Sequence, residues 1–280
     1  MNNQHQEPEP AAGVQAGSVS EESWNEDTYA AWTSRFGTPA EAAAKLAKDP
    51  LVKLFPISSY FGEISGKKII NLMGSNGMKA VALALLGAEV TVADFSEANA
   101  RYAKDLASAA EVQLTYHVSD VLNLPAEVAE SSYDIVFAEQ GIVHYFTDLA
   151  PFMDTAYRLL SPGGRFVLRD FHPITTKLIS SKGSTAKVRK HKVSGDYFDT
   201  GLEEKIVSYS KYLPASAGGM GEKKSVVHWR RWTLGEIVTA AAASGLVITM
   251  LVEEPNLSSD VYDKGIPKTF TLVAEKAGQA

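Results

Sequence analysis

The first residues that could support chemistry are two glycines in a short turn and an acid that follows them. Gly74 and Gly77 lie in a polar turn between the apolar run 69–72 and the good helix formers of 80–86, and Asp94 ends the next apolar run. Glycines let a backbone approach a ligand closely, and an acid at the end of a buried strand can accept ribose hydroxyl groups. The pattern therefore predicts a nucleoside-like ligand across the ends of two neighbouring strands.

One βαβ unit must position these residues. The apolar runs 69–72 and 90–93 predict strands buried on both faces, and Gly87 predicts a left-handed cap on the helix between them. The amides of residues 76–79 start that helix and can donate to a carboxylate or phosphate. Because the crossover is short, the two strands are expected to be parallel and the connection right-handed.

The same alternation of strand and helix continues along the chain. The further elements are predicted as helices at 97–110, 149–160 and 233–245, strands at 112–117, 133–138, 165–169, 247–252 and 269–275, and a turn at Pro162–Gly164. Such alternation predicts an α/β fold with a doubly wound, seven-stranded, mostly parallel sheet.

The segments outside this alternation have distinct compositions. Residues 1–22 are polar and rich in Pro, Gly and Ser, which predicts a disordered tail, and residues 23–280 are expected to form a single domain. The aromatic segment 23–62 is expected to form a helical cap that packs on the sheet. Residues 174–231 interrupt the fold after the fifth strand and are expected to form a β-rich lid around the glycine turn 217–221.

Composition excludes several classes of function. The chain has 280 residues, 45% hydrophobic content, a formal net charge of -6 and no cysteine. Without cysteine it has no disulfide, thiolate metal site or cysteine nucleophile, and we expect no metal. An acidic balance argues against a nucleic-acid partner, and neither a signal sequence nor a long apolar stretch is present. We expect a cytoplasmic protein that does not enter a membrane, and the oligomeric state stays open.

The order of these elements, with Pro162-Gly163-Gly164 before the fifth strand, resembles the class I S-adenosylmethionine-dependent methyltransferases over residues 67–276. The resemblance implies a Rossmann-like methyltransferase fold and S-adenosylmethionine as cofactor. By this resemblance Asp94 holds the ribose, Phe95 lies beside the adenine and Asp120 accepts the adenine amino group. The remaining cofactor-binding residues are expected to be Asn71, Gly74, Ser75, Asn76, Gly77, Val121 and Glu139.

The loop after the first strand departs from the family pattern. Asn71, Met73 and Ser75 stand where the family has an acid and two glycines. Asn71 keeps hydrogen-bonding capacity without the charge. The loop also does not match GxGxxG, so a dinucleotide fits it less well.

Methyl transfer needs the methyl group held in line with a nucleophile in a dry pocket, with a base nearby if the nucleophile carries a proton. His144 after the fourth strand and His172 after the fifth are the predicted catalytic residues, and His144 matches a histidine common in family members that act on small molecules. Either histidine could instead cap a helix or bond a carbonyl group. The residues expected to contact the acceptor are Tyr60, Tyr145, Asp170, Tyr209, His228 and Trp229.

These expectations favour one function and leave two alternatives. The absence of cysteine excludes covalent attack on a pyrimidine carbon, and the fourth strand lacks the Asn/Asp-Pro-Pro-aromatic motif of amino-methylating DNA enzymes. The sequence therefore predicts methyl transfer from S-adenosylmethionine to an oxygen or nitrogen nucleophile of a small molecule. The alternatives are a scaffold that binds the cofactor without catalysis and an NAD-dependent oxidoreductase.

Overall fold

The computed structural model describes residues 28–182, 190–207, 225–255 and 265–278. In these ranges the strands are β1 (Lys68–Leu72), β2 (Glu89–Asp94), β3 (Thr115–Val118), β4 (Tyr133–Glu139), β5 (Leu160–Phe171), β6 (Ile179–Lys182), β7 (Lys190–Val193), β8 (Leu202–Val207), β9 (Ser225–Arg230), β10 (Val247–Glu254) and β11 (Thr269–Glu275). Seven of them form one sheet in the order β10-β11-β5-β4-β1-β2-β3.

The sheet is mostly parallel. β1 pairs in parallel with β2 and β4, β2 pairs with β3, and β4 pairs with β5. β11 runs antiparallel to both of its neighbours, β5 and β10. The predicted doubly wound sheet is thereby confirmed. The carboxyl ends of its first five strands meet at one edge, where ligands bind in open α/β sheets.

Helices cover both faces of the sheet. They are α1 (Thr28–Phe36), α2 (Pro39–Lys48), α3 (Pro50–Leu54), α4 (Met78–Leu85), α5 (Glu97–Ala109), α6 (Ala150–Leu159) and α7 (Leu234–Ala243), with short 3-10 turns at Ile57–Tyr60 and Val143–Tyr145. Capping boxes begin α2, where Thr38 pairs with Glu41, and α7, where Thr233 pairs with Glu236. The predicted start of the helix at residue 233 is confirmed.

Each face of the sheet carries its own hydrophobic core. One core contains Phe152 and Phe166 together with residues of α7. The other contains Trp32, Tyr102 and Phe137 and joins the N-terminal helices to α4 and α5. Trp32 and Phe61 of the cap are thus buried in this core, and Phe61 packs on Phe137 of β4, whereas Phe55 is exposed.

The insertion after β5 forms two antiparallel strand pairs, β6 with β7 and β8 with β9. Its base is held by Lys177, whose buried Nζ donates to the carbonyl groups of Asp199 at 2.5 Å and Arg231 at 2.7 Å. The β-rich character expected of this segment is present in the described strands. The glycine turn 217–221 and the tail 1–22 lie outside the described residues.

Two strands begin three or more residues away from their predicted starts. β3 begins at Thr115 because Glu111 has a left-handed φ of 57° and the Val112 N–H caps α5 by donating to the Ala107 carbonyl. β5 begins at Leu160, before the predicted glycine turn. Tyr133 pairs with Leu160 while Ile135 pairs with Arg165, so residues 161–164 form a bulge inside the strand.

Candidate active site

The loop after β1 contains two non-glycine residues in left-handed backbone, Met73 with a φ of 53° and Ser75 with a φ of 51°. Gly74 between them has no room for a side chain, since a Cβ there would lie 2.6 Å from Asn71 Oδ1. Asn71 is buried and donates its amide to the Phe137 carbonyl at 3.4 Å. Contacts within the protein therefore hold this loop against β1 and β4.

The start of α4 is also fixed by the protein. Gly77 has a φ of 71°, and a Cβ there would lie 2.5 Å from Ala103 Cβ, so glycine permits close packing of α4 on α5. Asn76 Oδ1 accepts the Met78 N–H at 3.2 Å. The Met78 amide, one of the predicted anion donors, is thus already bonded.

Asp94 is buried at the end of β2, with a relative exposure of 5%. Its Oδ2 accepts the Ser75 N–H at 3.0 Å, and its Oδ1 accepts the Ser96 N–H at 3.0 Å and Asn99 Nδ2 at 3.2 Å. Burial raises the pKa of Asp94, while these donors act in the opposite direction. Because a carboxylate has about four acceptor positions, Oδ2 retains one for a further donor.

The segment after β3 presents a second carboxylate. Asp120 is exposed and holds its own loop, because Oδ1 accepts the Leu122 N–H at 2.9 Å and Oδ2 accepts Asn123 Nδ2 at 3.2 Å. Val121 points into the core. Ser119 Oγ is buried and has no hydrogen-bond partner among the described residues. A buried hydroxyl in this state can bond a polar group of a ligand.

Lys79 and Glu139 form an ion pair between the first turn of α4 and the end of β4, with both side chains mostly buried. Lys53 of α3 lies near this pair, and its Nζ stands 4.9 Å from the centre of the Phe36 ring. Burial lowers the pKa of Lys53, and the Lys79 charge lowers it further. The helical cap therefore brings Lys53 close to the Lys79–Glu139 pair at the start of α4.

Asp170, at the end of β5, is fully buried. Its carboxylate accepts the backbone N–H groups of Gly141, Ile142, Val143 and Phe171. Burial raises the pKa of Asp170, and the nearby His144 ring lowers it. Asp170 therefore fixes the loop after β4, and this position does not fit the expected contact with an acceptor.

His144, Tyr145 and Trp229 form an aromatic cluster over that loop. The His144 and Trp229 rings are stacked with centroids 5.5 Å apart, and Tyr145 meets Trp229 edge to face at 5.6 Å. His144 Nδ1 lies 3.4 Å from the Arg230 carbonyl oxygen, which can only accept, so this contact leaves Nε2 as the acceptor nitrogen. Burial, with the charges of Asp170 and Asp94, raises the pKa of Tyr145 to about 12.

His172 is buried with both ring nitrogens engaged. Its Nδ1 accepts the Ile174 N–H at 3.1 Å, so the proton lies on Nε2, which donates to Glu253 Oε1 at 2.6 Å. Neither ring nitrogen is therefore available to take a proton from a methyl acceptor. The predicted catalytic role of His172 therefore does not fit this geometry, which joins β5 to β10.

The other predicted residues lie at different positions. The Tyr60 carbonyl accepts Arg165 Nη1 at 3.1 Å, which places Tyr60 against β5 rather than beside Trp229. His228 is exposed on β9, and Phe95 is half-buried directly after Asp94. Tyr209 lies outside the described residues.

The described residues contain neither a candidate metal site nor a helix that could span a membrane. Among the described residues, no group of three or more His, Asp or Glu side chains is arranged to hold a metal ion. In the same part of the chain, no helix has both the length and the apolar character needed to cross a bilayer.

Comparison with known proteins agrees with this architecture. Residues 73–168 match a family model described as a methyltransferase domain. The 27-O-demethylrifamycin SV methyltransferase of Amycolatopsis mediterranei is 28% identical over 152 residues, 53% of this chain and 52% of that protein. The ubiquinone biosynthesis O-methyltransferase of a Methylobacterium species is 32% identical over 103 residues, 37% of this chain and 40% of that protein. The chain thus spans about half, or less, of these relatives.

The fold is shared more widely than the sequence. An S-adenosylmethionine dependent methyltransferase from Mesorhizobium loti superimposes with a TM-score of 0.59 at 20% identity, covering 83% of this chain and 99% of that one. Residues 73–168 thus carry a methyltransferase domain, and the chain has the fold of S-adenosylmethionine-dependent methyltransferases. The expected fold is thereby confirmed, and the matched domain supports the expected family.

The departures from the family loop have a structural consequence. Met73 and Ser75 stand where the family that the sequence resembles has glycine, and both have the positive φ that glycine adopts without strain. Met73 packs its side chain against the core.

Several residues near the candidate site were not predicted from the sequence. Lys79 and Lys53 were unassigned because a lysine in a helix is usually solvated, and only the fold brings them to Glu139. Asn99 and Trp32 were unassigned because they lie on helices that come together only in the tertiary structure. The ADFS sequence with Asn three residues after the serine is a helix-cap pattern that could have indicated the position of Asn99.

Proposed function

We propose that this protein transfers the methyl group of S-adenosylmethionine to an oxygen or nitrogen nucleophile of a small-molecule acceptor. The observation that carries the proposal is the buried Asp94 carboxylate, bonded to the Ser75 amide where β1 and β2 end inside a methyltransferase domain. An acid at this point of a doubly wound sheet accepts ribose hydroxyl groups.

The residues present fit the cofactor. Asp94 Oδ2 has an acceptor position left for a ribose hydroxyl, and Ser119 Oγ is a buried hydroxyl without a partner among the described residues. Asp120 would accept the adenine amino group at the rim, and Lys79 would bind the cofactor carboxylate in competition with Glu139. When bound, S-adenosylmethionine supplies an electrophilic methyl group.

His144 is the proposed general base. Nε2 accepts the proton of the acceptor hydroxyl or amine, and the nearby Asp170 carboxylate stabilises the imidazolium that forms. The high pKa keeps the Tyr145 phenol protonated, so Tyr145 orients the acceptor as a hydrogen-bond donor. His172 has no part in this scheme.

The insertion acts as a lid in this proposal. Trp229 covers His144 and Tyr145 from β9, and Arg230 Nη1 reaches the Thr147 carbonyl at 3.2 Å, so β9 lies on the loop after β4. Covering the crevice excludes water from the reacting groups. The aromatic cluster suits a planar acceptor, and the relatives named above include an O-methyltransferase of ubiquinone biosynthesis.

The test combines binding and turnover. Calorimetry with S-adenosylhomocysteine and with NAD should show binding of the first and none of the second; the reverse result would support an oxidoreductase. Transfer of a labelled methyl group from S-adenosylmethionine should then be measured with phenol, catechol, hydroquinone and amine acceptors. Binding without transfer to any of them would support the scaffold alternative.

A further inference from the structure

A buried chain of hydrogen bonds runs from the N-terminal cap to the loop after β1. Trp32 Nε1 donates to Asn99 Oδ1 at 2.8 Å, and Asn99 Nδ2 donates to Asp94 Oδ1 at 3.2 Å. Asp94 Oδ2 accepts the Ser75 N–H at 3.0 Å. The relative exposures of Trp32 and Asn99 are 7% and 2%, so water competes little for these bonds.

Trp32 determines which way the Asn99 amide faces. An indole N–H can only donate, so the amide oxygen must face Trp32 and the amide NH2 group must face Asp94. The opposite orientation would set an NH2 group against the indole N–H and an oxygen against the carboxylate. The Asn99 backbone is fixed separately, because its N–H donates to Ser96 Oγ at 3.2 Å.

We propose that Trp32 and Asn99 are positioning residues that hold the Asp94 carboxylate in the orientation that binds the cofactor ribose. This inference rests on the proposed function. Helix α1, which lies before the methyltransferase domain match, then supports the cofactor site through Asn99 of α5. Without the indole N–H, Asn99 is free to turn, and Asp94 loses a fixed donor.

A purely structural role of Trp32 predicts a different result, and the chain offers a matched control. Tyr29 lies on the same helix, and its hydroxyl donates to Asp105 Oδ2 of the same partner helix, α5, at 2.7 Å. Tyr29→Phe and Trp32→Phe each remove one hydrogen bond between α1 and α5. Only the bond of Trp32 continues to Asp94.

The experiment is a double-mutant cycle with S-adenosylhomocysteine as the calorimetric ligand. Trp32→Phe is expected to weaken binding about five-fold, the usual worth of one net hydrogen bond, and Tyr29→Phe by less than about two-fold. In an Asp94→Ala background, Trp32→Phe should have no further effect, because the residue acts through Asp94. In turnover, Trp32→Phe should raise the KM for S-adenosylmethionine and leave kcat unchanged.

Two results would overturn the inference: equal losses in Trp32→Phe and Tyr29→Phe, or a Trp32→Phe loss that persists with Asp94→Ala. If Trp32→Phe does not fold, Asn99→Leu removes both bonds at similar volume and must show the same dependence on Asp94. If wild-type protein binds the ligand but the cycle is additive, only the positioning role fails. If wild-type protein does not bind, the proposed function fails with it.

Discussion

The ring of Tyr145 meets the ring of Trp229 edge to face, with centroids 5.6 Å apart and planes inclined at 79°. Tyr145 belongs to the turn after β4 and Trp229 to the insertion, so this contact joins the seven-stranded domain to its inserted strands. The contact places an aromatic wall over His144 and beside the two buried acids, Asp94 and Asp170.

Replacement of Trp229 by alanine should lower methyl transfer to the acceptor much more than it lowers cofactor affinity. The variant is expected to lower the rate of methyl transfer to an acceptor at least about ten-fold, because the acceptor loses the contact with the Trp229 ring and water reaches the reacting groups. The affinity for S-adenosylhomocysteine should change less than about two-fold, because that ligand depends on the strand ends. Single-turnover transfer and calorimetry measure the two quantities.

Phe198 provides the matched control for Trp229. It is an aromatic residue of the same insertion with a relative exposure of 79%, and the aromatic ring it contacts is that of Tyr197. Phe198→Ala should leave both quantities unchanged. Equal losses of turnover and cofactor affinity in Trp229→Ala would show that the insertion is structural support.

Tyr145→Phe should lower kcat/KM for methyl transfer without changing the shape of its pH dependence. The Tyr145 pKa of about 12 means that the hydroxyl is protonated throughout the working range, so it does not act as a base. Loss of one orienting donor should lower kcat/KM about five- to ten-fold. A pH–rate profile whose alkaline limb moves in Tyr145→Phe would contradict this role.

The same pKa predicts an effect on stability at alkaline pH. The pKa of Tyr145 is raised in the folded state from 10.0 to about 12, so its stabilising contribution is complete below pH 10 and is lost as the pH rises towards 12. Wild-type protein should therefore lose stability over this interval more steeply than Tyr145→Phe. Denaturant unfolding at a series of pH values measures the difference, and parallel curves would be the contrary result.

The two histidines predicted from sequence should behave in opposite ways. His144→Gln is expected to lower kcat by about 10²- to 10⁴-fold, the usual worth of a general base, with cofactor affinity kept. His172→Gln is expected to cost about 1 to 3 kcal/mol of unfolding free energy, because it disturbs the buried bonds to Ile174 and Glu253. The kcat of the folded His172→Gln protein should lie within about three-fold of the wild-type kcat. The reverse pattern would make His172 the base.

The left-handed residues of the loop after β1 predict a stabilising substitution. Ser75→Gly relieves a φ of 51° and should raise the unfolding free energy by up to about 1 kcal/mol. Met73→Gly relieves a similar φ but removes a side chain that packs on the core, so it should be destabilising. Chemical denaturation of both variants checks the pair. A destabilised Ser75→Gly would mean that the serine side chain carries a contact worth more than the strain.

Most of the fold could be predicted from local patterns. Mostly apolar runs such as 69–72 and 269–275 predicted strands at or near their observed limits, because a strand covered on both faces has few polar residues. The helix predicted at 233–245 begins with the capping box of Thr233 and Glu236, which is a local sequence pattern. The start of β3 was missed because the cap formed by Val112 takes residues that also look like a strand.

The candidate site was less predictable, since its groups meet only in the folded chain. Asp170 matches the pattern of an acid at a strand end. In the structure four backbone N–H groups donate to it, and the sequence does not show that these groups point towards its carboxylate. His172 looks like His144 in sequence and differs through its bonds to Ile174 and to Glu253, the second of which is far along the chain. Trp32 reaches Asp94 through Asn99, a connection that requires α1 to pack on α5.

Calorimetric titration of S-adenosylhomocysteine into wild-type protein and Asp94→Ala tests the central claim most directly. The account predicts binding by wild type, and in the folded variant a loss of about ten-fold or more, since a charge-assisted bond to ribose is worth about 1.5 to 3 kcal/mol. Circular dichroism and a thermal melt should establish that Asp94→Ala is folded. Wild-type protein that does not bind, or a folded variant that binds equally well, would contradict the assignment of the cofactor to the ends of β1 and β2.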